Sequence, residues 1–418
     1  MTNRTQLKPS FNIQLEALRG VAALLVVWHH VIFHRFQLDP NYMPTGAAAF
    51  NAPGHFAVMV FFLLSGYVIG ASQREPLRVN QVGMYLKKRF TRIYPIYLLA
   101  LLAGLAVAGF SYSWEVVAAH LIFANNDVLT PTIFENNPLW SLQHEVLFYL
   151  LFIPLSILRA RAWLVAIVSI LLSILCLSVD PTGTGALVSR YCVGFAIWST
   201  GWALATVHFS TNPPQYTKLI SALLLFVCIE PFNLFLTIGE KLTQFFTQHP
   251  LGLNVARWPI AIVRPLDLLT VPYAAFIVMQ FIHVRPNRAM KLILLMLQLL
   301  PLYTFKYIVQ HPNEPQIAAL VIPAVCYVVS TLLFLLPSSL VVEKASQWLI
   351  HNMIPFGAIS YGIYVIHFPF ISLFHQINWF SGTAASFVFR SVLLLVLTLA
   401  ASYLLEKRFQ PWIKRRLF

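Results

Sequence analysis

Arg19 and His30 stand eleven residues apart in the apolar stretch LEALRGVAALLVVWHHVIF, about three turns of an α-helix, so they share one helical face. Glu16, Arg19 and His30 fall within about 60° of one another, whereas His29 is turned about 80° away from Arg19. An ionisable side chain at the centre of a membrane helix costs roughly 2.5–3.5 kcal/mol on insertion scales, so such groups pair with one another or act on a substrate. A second constellation, NNPLWSLQHEVLFYLL, repeats Ser141, Glu145 and Tyr149 every four residues on one face. An imidazole and a carboxylate that meet in a low-dielectric cleft orient each other for general-base chemistry, and His30 and Glu145 are the candidates here. The same residues also fit a plainer role, with Arg19 reaching to the interface, His30 satisfied by a structural hydrogen bond and Glu145 pairing near its helix start.

Two further stretches carry polar groups with a pattern. In YLKKRFTRIYPIY, Arg89 and Arg92 are three residues apart on one side of a helix, and guanidinium forks suit phosphate oxygens. Juxtamembrane charge that binds lipid head groups has the same appearance. In FGAISYGIYVIHFPF, Ser360, Tyr364 and His367 form a polar stripe at helical spacing, with Pro369 behind it. His367 is expected near mid-membrane, as a substrate contact or as a satisfied bundle histidine.

The elements that must hold these groups are membrane helices. The chain is 58% hydrophobic and 10% charged, with mean hydropathy +0.72, which excludes an ordinary soluble globular protein. Apolar runs of spanning length fall near 13–34, 55–72, 92–110, 139–158, 162–179, 187–208, 218–238, 260–283, 289–310, 316–337, 357–377 and 384–405. The expected fold is therefore all-α, a polytopic transmembrane bundle of about 10–12 spans. No stretch is left over for a soluble catalytic unit, so residues 1–418 are read as one membrane-embedded domain. The first span is read as retained, because no A-x-A-like cleavage site follows it.

The net charge of +14 reads as topology and not as a nucleic-acid footprint. Lys8, Arg74, Arg78, Lys87 to Arg89, Arg159, Arg161, Arg285, Arg288, Lys291, Lys344 and the basic residues from Lys407 to Arg416 all fall in alternate connections. The intervening connection 111–138 holds Glu115, Asp127 and Glu135 and neither Lys nor Arg. By the positive-inside rule both termini are cytoplasmic and that connection is outside, in a multi-pass protein of the cytoplasmic membrane. Segment 240–258 mixes Glu240, Lys241 and Arg257. Cys176, Cys192, Cys228 and Cys326 are isolated in apolar runs, read as buried thiols, and no metal-ligand spacing is present.

Taken in order, the four stretches resemble the acyltransferase 3 family of integral membrane proteins. The family's LRGLAALLVVxxH span matches Arg19 and His30, and its FFxLSGY stretch matches Phe61 to Tyr67. An RxxRIYPxY edge matches Arg89, Arg92, Pro95 and Tyr97; WSLxxE matches Trp140 to Glu145; ISYxxYxxHxP matches Ile359 to Pro369; and a closing E(K/R)xF looks like Glu406 to Phe409. Residues from roughly 200 to 340 match no motif. Two positions depart from the pattern: Met59 stands where many relatives carry an acidic residue, and His144 where the commonest form has Val, which makes His144 a candidate part of this chain's own acceptor site.

The resemblance implies transfer of an acyl group, most often acetyl, from cytoplasmic acyl-CoA to a hydroxyl of a glycan or glycolipid at the outer face. In that scheme Arg89 and Arg92 hold the CoA phosphates, Arg19 positions the donor, His30 is the general base and Glu145 orients it. Ser141, Ser360, Tyr364 and His367 line the substrate path, with membrane lipids as surroundings and no metal or nucleic acid. A secondary transporter of a glycan, using Arg, His and Glu as a proton relay, is the main rival, though no internal repeat is visible. An assembly subunit without chemistry of its own is the other.

Overall fold

The computed structural model describes residues 13–33, 36–125, 131–181, 183–207, 214–234, 263–284, 286–312 and 314–417. Lys8, Asp127, Glu240, Lys241, Arg257 and Arg285 lie outside the described residues. In chain order the α-helices are α1 Gln14–Ile32, α2 Gly54–Ser72, α3 Val82–Val107, α4 Trp114–Leu121, α5 Trp140–Ile157, α6 Ala162–Val179, α7 Thr184–Leu204 and α8 Tyr216–Ile229. They continue as α9 Val271–Phe281, α10 Arg288–Leu299, α11 Leu302–Gln310, α12 Val321–Leu335, α13 Leu340–Gly357, α14 Ser360–His375, α15 Ala384–Tyr403 and α16 Gln410–Leu417. Among the described residues there is no extended strand, and a helix occupies each of the twelve positions expected from the apolar runs.

Among the described residues, eight helical segments are long and apolar enough to cross a membrane, and the pair α13 and α14, bent by 67°, makes a ninth if taken as one broken span. The chain is thus a multi-pass membrane protein. Segments Tyr216–Ile229 and Pro265–Phe281 are apolar but shorter. One element departs from expectation: between the apolar runs at 316–337 and 357–377 the chain forms a further helix, α13. Glu343, Lys344, Gln347 and His351 dilute its apolarity, and it is held by packing. Its Glu343 carboxylate accepts from Tyr216 N at 2.6 Å, Thr217 N at 3.1 Å and Thr217 Oγ1 at 2.9 Å, satisfying donors at the start of α8 that no helical carbonyl can reach.

Lipid offers no hydrophobic drive between helices, so close packing must hold them together, and small residues permit it. A Cβ at Gly66 on α2 would meet the Trp198 carbonyl oxygen at 1.8 Å, and one at Gly201 on α7 would meet the Leu63 carbonyl oxygen at 1.9 Å. Backbone therefore lies on backbone where α2 crosses α7. Helices α1 and α13 meet in the same way, with the Gly357 position against the Glu16 carbonyl.

Three polar clamps then fix the ends. Buried Arg390 on α15 donates to the carbonyls of Leu38 at 3.0 Å, Phe374 at 2.8 Å, Ile377 at 2.6 Å, Trp379 at 2.9 Å and Phe380 at 3.1 Å. Asp39 accepts from Gly382 N at 3.0 Å and Ser386 Oγ at 2.5 Å; together these tie down the segments that follow α1 and α14. In the connection before α5, His120 Nδ1 donates to the Val116 carbonyl at 2.8 Å, while its Nε2 accepts from Ile133 N at 3.3 Å. Asn136 donates to the carbonyls of Ala100 at 2.9 Å and Val365 at 3.1 Å, which sets the start of α5 against α3 and α14. Near the C-terminus a π-turn, Leu404–Phe409, brings the Glu406 carboxylate to Gly362 N at 2.7 Å. Glu406 thus anchors the start of α14 and is not bonded to the adjacent Lys407 or Arg408.

Gly201→Ala is expected to destabilise the protein by about 1–3 kcal/mol through overpacking, read as a lower melting temperature in detergent. Gly83→Ala, where a Cβ meets nothing within 4 Å, should leave it unchanged or slightly raised. Burial pushes the His120 imidazole below its ordinary value, against the opposing pull of the Val116 carbonyl. The folded state then binds fewer protons than the unfolded one, so this stability is complete above about pH 6.5 and is lost as pH falls below it. The fall in melting temperature from about pH 8 to about pH 5 should be smaller in His120→Gln than in the wild type.

Candidate functional site

A cavity inside the bundle leaves about 110 Å³ of room for the centres of water-sized molecules. The first half of α1 and of α3 supply Arg19, Arg89 and Arg92 to its wall. Helix α5 supplies Ser141 and Glu145, and the first turns of α14 supply Ser360 and Tyr364. Seven residues expected at the site from sequence therefore meet in one space.

The charges in it are unbalanced. Arg19 Nη1 pairs with Glu16 at 3.0 Å. Arg89 and Arg92 have no carboxylate within ion-pair distance among the described residues. Arg89 lies over the rings of Tyr85 and Tyr149, 5.4 and 5.6 Å from their centroids, a cation–π setting that holds a guanidinium without neutralising it. Its Nε is buried with no hydrogen-bond partner among the described residues, as is Ser360 Oγ. Glu145 accepts from Ser65 Oγ at 3.1 Å and from the Tyr149 hydroxyl, and Trp198 Nε1 donates to Ser65 at 3.3 Å. Arg19, Arg89, Arg92 and Lys414 stand against Glu16, Glu145 and Glu406, so the space keeps a cationic excess. Unmet donors aimed into such a space are what an anion with several oxygens would satisfy.

The histidines stand apart from this cavity. His30 Nδ1 is 2.9 Å from His367 Nε2, with the ring centroids 5.1 Å apart and the planes inclined by 26°. Phe368 packs edge-on against His30 at 5.2 Å and against His367 at 6.1 Å. The link to the cavity is Tyr364, whose ring centroid is 6.4 Å from that of His367 and whose hydroxyl is 2.7 Å from Ser141 Oγ.

Two expectations are corrected by this arrangement. Glu145 does not orient His30, because the carboxylate is turned towards Ser65 on α2 and Tyr149 on its own helix, while His30 faces α14. The stripe Ser360, Tyr364 and His367 also divides: the first two line the arginine cavity and the third joins His30. His144 lines neither; it is buried, bonded to the Trp140 carbonyl at 3.2 Å and packed between the rings of Phe62 and Tyr191. His29, set aside on helical phase, bonds the Ala52 carbonyl at 2.9 Å. Ser65 and Tyr361 also line the cavity; both stand in the matched stretches FFxLSGY and ISYxxYxxHxP, which assigned them no role. Among the described residues no three His, Cys, Asp or Glu stand close enough to hold a metal ion.

A family model described as an acyltransferase domain matches residues 12–282, a stretch that includes Arg19, His30, Arg89, Arg92 and Glu145 and stops short of α14. The acyltransferase MdmB of Streptomyces mycarofaciens is 33% identical over 148 residues, 33% of this chain and 37% of that protein. Protein 2 in the picA locus of Rhizobium radiobacter is 37% identical over 99 residues, 23% of this chain and 46% of that protein. The chain thus spans less than half the length of these curated relatives. No solved structure matches the chain.

The cationic cavity should bind a polyphosphate. Pyrophosphate is expected to raise the melting temperature in proportion to the logarithm of its concentration, by an amount equivalent to about 2.7 kcal/mol at 100 times its Kd. Arg89→Gln combined with Arg92→Gln should abolish the rise without changing helix content.

Proposed function

This chain belongs to the acyltransferase 3 family, and we propose that it is a membrane O-acyltransferase that moves a short acyl group, most simply acetyl, from acyl-CoA to a hydroxyl of a glycan or glycolipid across the membrane. The observation that carries this reading is the separation of two chemistries within one bundle. A cationic cavity is built from Arg19, Arg89 and Arg92, and a hydrogen-bonded imidazole pair stands one side chain beyond it. The positive-inside pattern supports a cytoplasmic opening for the arginine cavity, with both termini on that side.

Arg89 and Arg92 bind the phosphates of CoA, and Arg19 draws the pantetheine arm inward. The small cavity favours a short acyl chain. His30 takes the proton of the acceptor hydroxyl as its oxygen attacks the thioester carbonyl; the new C–O bond forms, the C–S bond breaks, and the thiolate leaves as the thiol after taking up one proton. The hydroxyls of Ser141 and Tyr364, on the wall nearest the histidines, bond each other and the Pro138 carbonyl and turn to the oxyanion as it develops. Glu145 limits the cationic excess of the cavity and holds Ser65 and Tyr149 in place.

Purified protein in lipid vesicles should transfer the acyl group of acyl-CoA to an extracted cell-surface glycan, read as a mass increase on the glycan. His30→Ala should lower kcat by about 10²–10⁴-fold, the range general acid–base catalysis contributes, with the protein still folded and in the membrane. Transport of the glycan without acyl transfer, or transfer undiminished by His30→Ala, overturns the proposal.

A further inference from the structure

We infer that His367 is a positioning residue that fixes which nitrogen of His30 carries the proton. This rests on the reading of His30 as the general base and adds to it the group that prepares that base.

The assignment follows from donors and acceptors alone. His367 Nδ1 lies 3.0 Å from the carbonyl oxygen of Ile363, one turn earlier on α14. A carbonyl only accepts, so Nδ1 of His367 bears the hydrogen. In a neutral imidazole the other nitrogen is then an acceptor. His367 Nε2 is that nitrogen, and it stands 2.9 Å from His30 Nδ1. His30 Nδ1 must therefore donate, and the basic lone pair of His30 is on Nε2. A single polarity runs from His30 through His367 to a backbone carbonyl that the helix holds in place.

His367 is fully buried, and the Phe368 ring braces both imidazoles edge-on. The ring planes are inclined by 26° and the facing nitrogens are 2.9 Å apart, so the other tautomer of His30 would set two lone pairs against each other. Serine hydrolases use a carboxylate behind their histidine for the same purpose. A carboxylate in the bilayer core would add a buried charge, which is costly there. A neutral imidazole whose own proton is held by a helix carbonyl orients the base without that charge. When His30 Nε2 takes the proton of the acceptor hydroxyl, the imidazolium formed keeps its Nδ1–H bond to His367, and no second proton has to move.

Two readouts test this. In protein labelled with ¹⁵N histidine and reconstituted in nanodiscs, the His30 signals, identified by their loss in His30→Gln, should report a protonated Nδ1 and an unprotonated Nε2. His367→Leu should shift His30 away from that state. For activity, His367→Leu should lower kcat by about 10²-fold or more while KM for acyl-CoA changes less than about twofold. His367→Gln, whose amide oxygen can accept from His30 Nδ1, should recover at least tenfold of that loss. A His30 protonated at Nε2 in the wild type overturns the inference, as does a His367→Leu protein that keeps its kcat, or equal loss in the Leu and Gln variants when both melt like the wild type. The nitrogen signals need no turnover, so a failure of the acyltransferase reading would be seen as intact tautomer signals in a protein without transfer activity.

Discussion

Two guanidiniums, those of Arg89 and Arg92, lie inside the bundle with no carboxylate at ion-pair distance among the described residues, and the rest of the structure answers to that constraint. Charge at this depth is tolerable only where polar groups or water surround it. The bundle therefore leaves a cavity around these arginines and lines it with hydroxyls and the rings of Tyr85 and Tyr149. A cavity removes packing contacts, and in a membrane packing is most of what associates helices. The lost contact is offset nearby, where α2 lies on α7 and α1 on α13 through glycines whose Cβ positions would fall within 2 Å of backbone oxygen. Gly66 follows Ser65 directly, so one residue of α2 bonds Glu145 while the next sits against α7.

Much of this was legible in the sequence, because helical phase and apolar length survive into the fold. The alignment of Arg19 with His30, and the rejection of His29, needed only the 3.6-residue period. That phase argument held since α1 is an uninterrupted helix from Gln14 to Ile32. The four-residue rhythm of Ser141, Glu145 and Tyr149 likewise put all three on the cavity side of α5. What failed were statements about partners on other helices. Depth along two helices, counted from their ends, says nothing about the direction in which each face is turned, so Glu145 was matched with His30 when its neighbour is Ser65. The stripe on α14 was read as one surface, but its seven residues span about 10 Å of helix axis, enough to pass from one polar compartment to the next. Helix α13 escaped notice because its stability comes from α1 and α8 and not from an apolar run of its own.

The short distance between the two compartments is what makes a single-step transfer reasonable in this architecture. The Phe61 and Tyr364 rings meet edge to face at 5.9 Å, and beyond Tyr364 the next polar group is His367. In the proposed transfer, donor and acceptor need not be carried past each other through the bilayer; each would enter from its own end and meet the other across the thickness of one aromatic side chain. An ionic partner for the base would be least welcome at such a septum, where neither solvent nor head groups screen it. The polarity of that region is instead carried by neutral dipoles, the Ser141 and Tyr364 hydroxyls on one side and the two imidazoles on the other. Fixed charge is kept to the arginine end, where the proposed donor's phosphates would compensate it, and the histidine end is left to neutral dipoles.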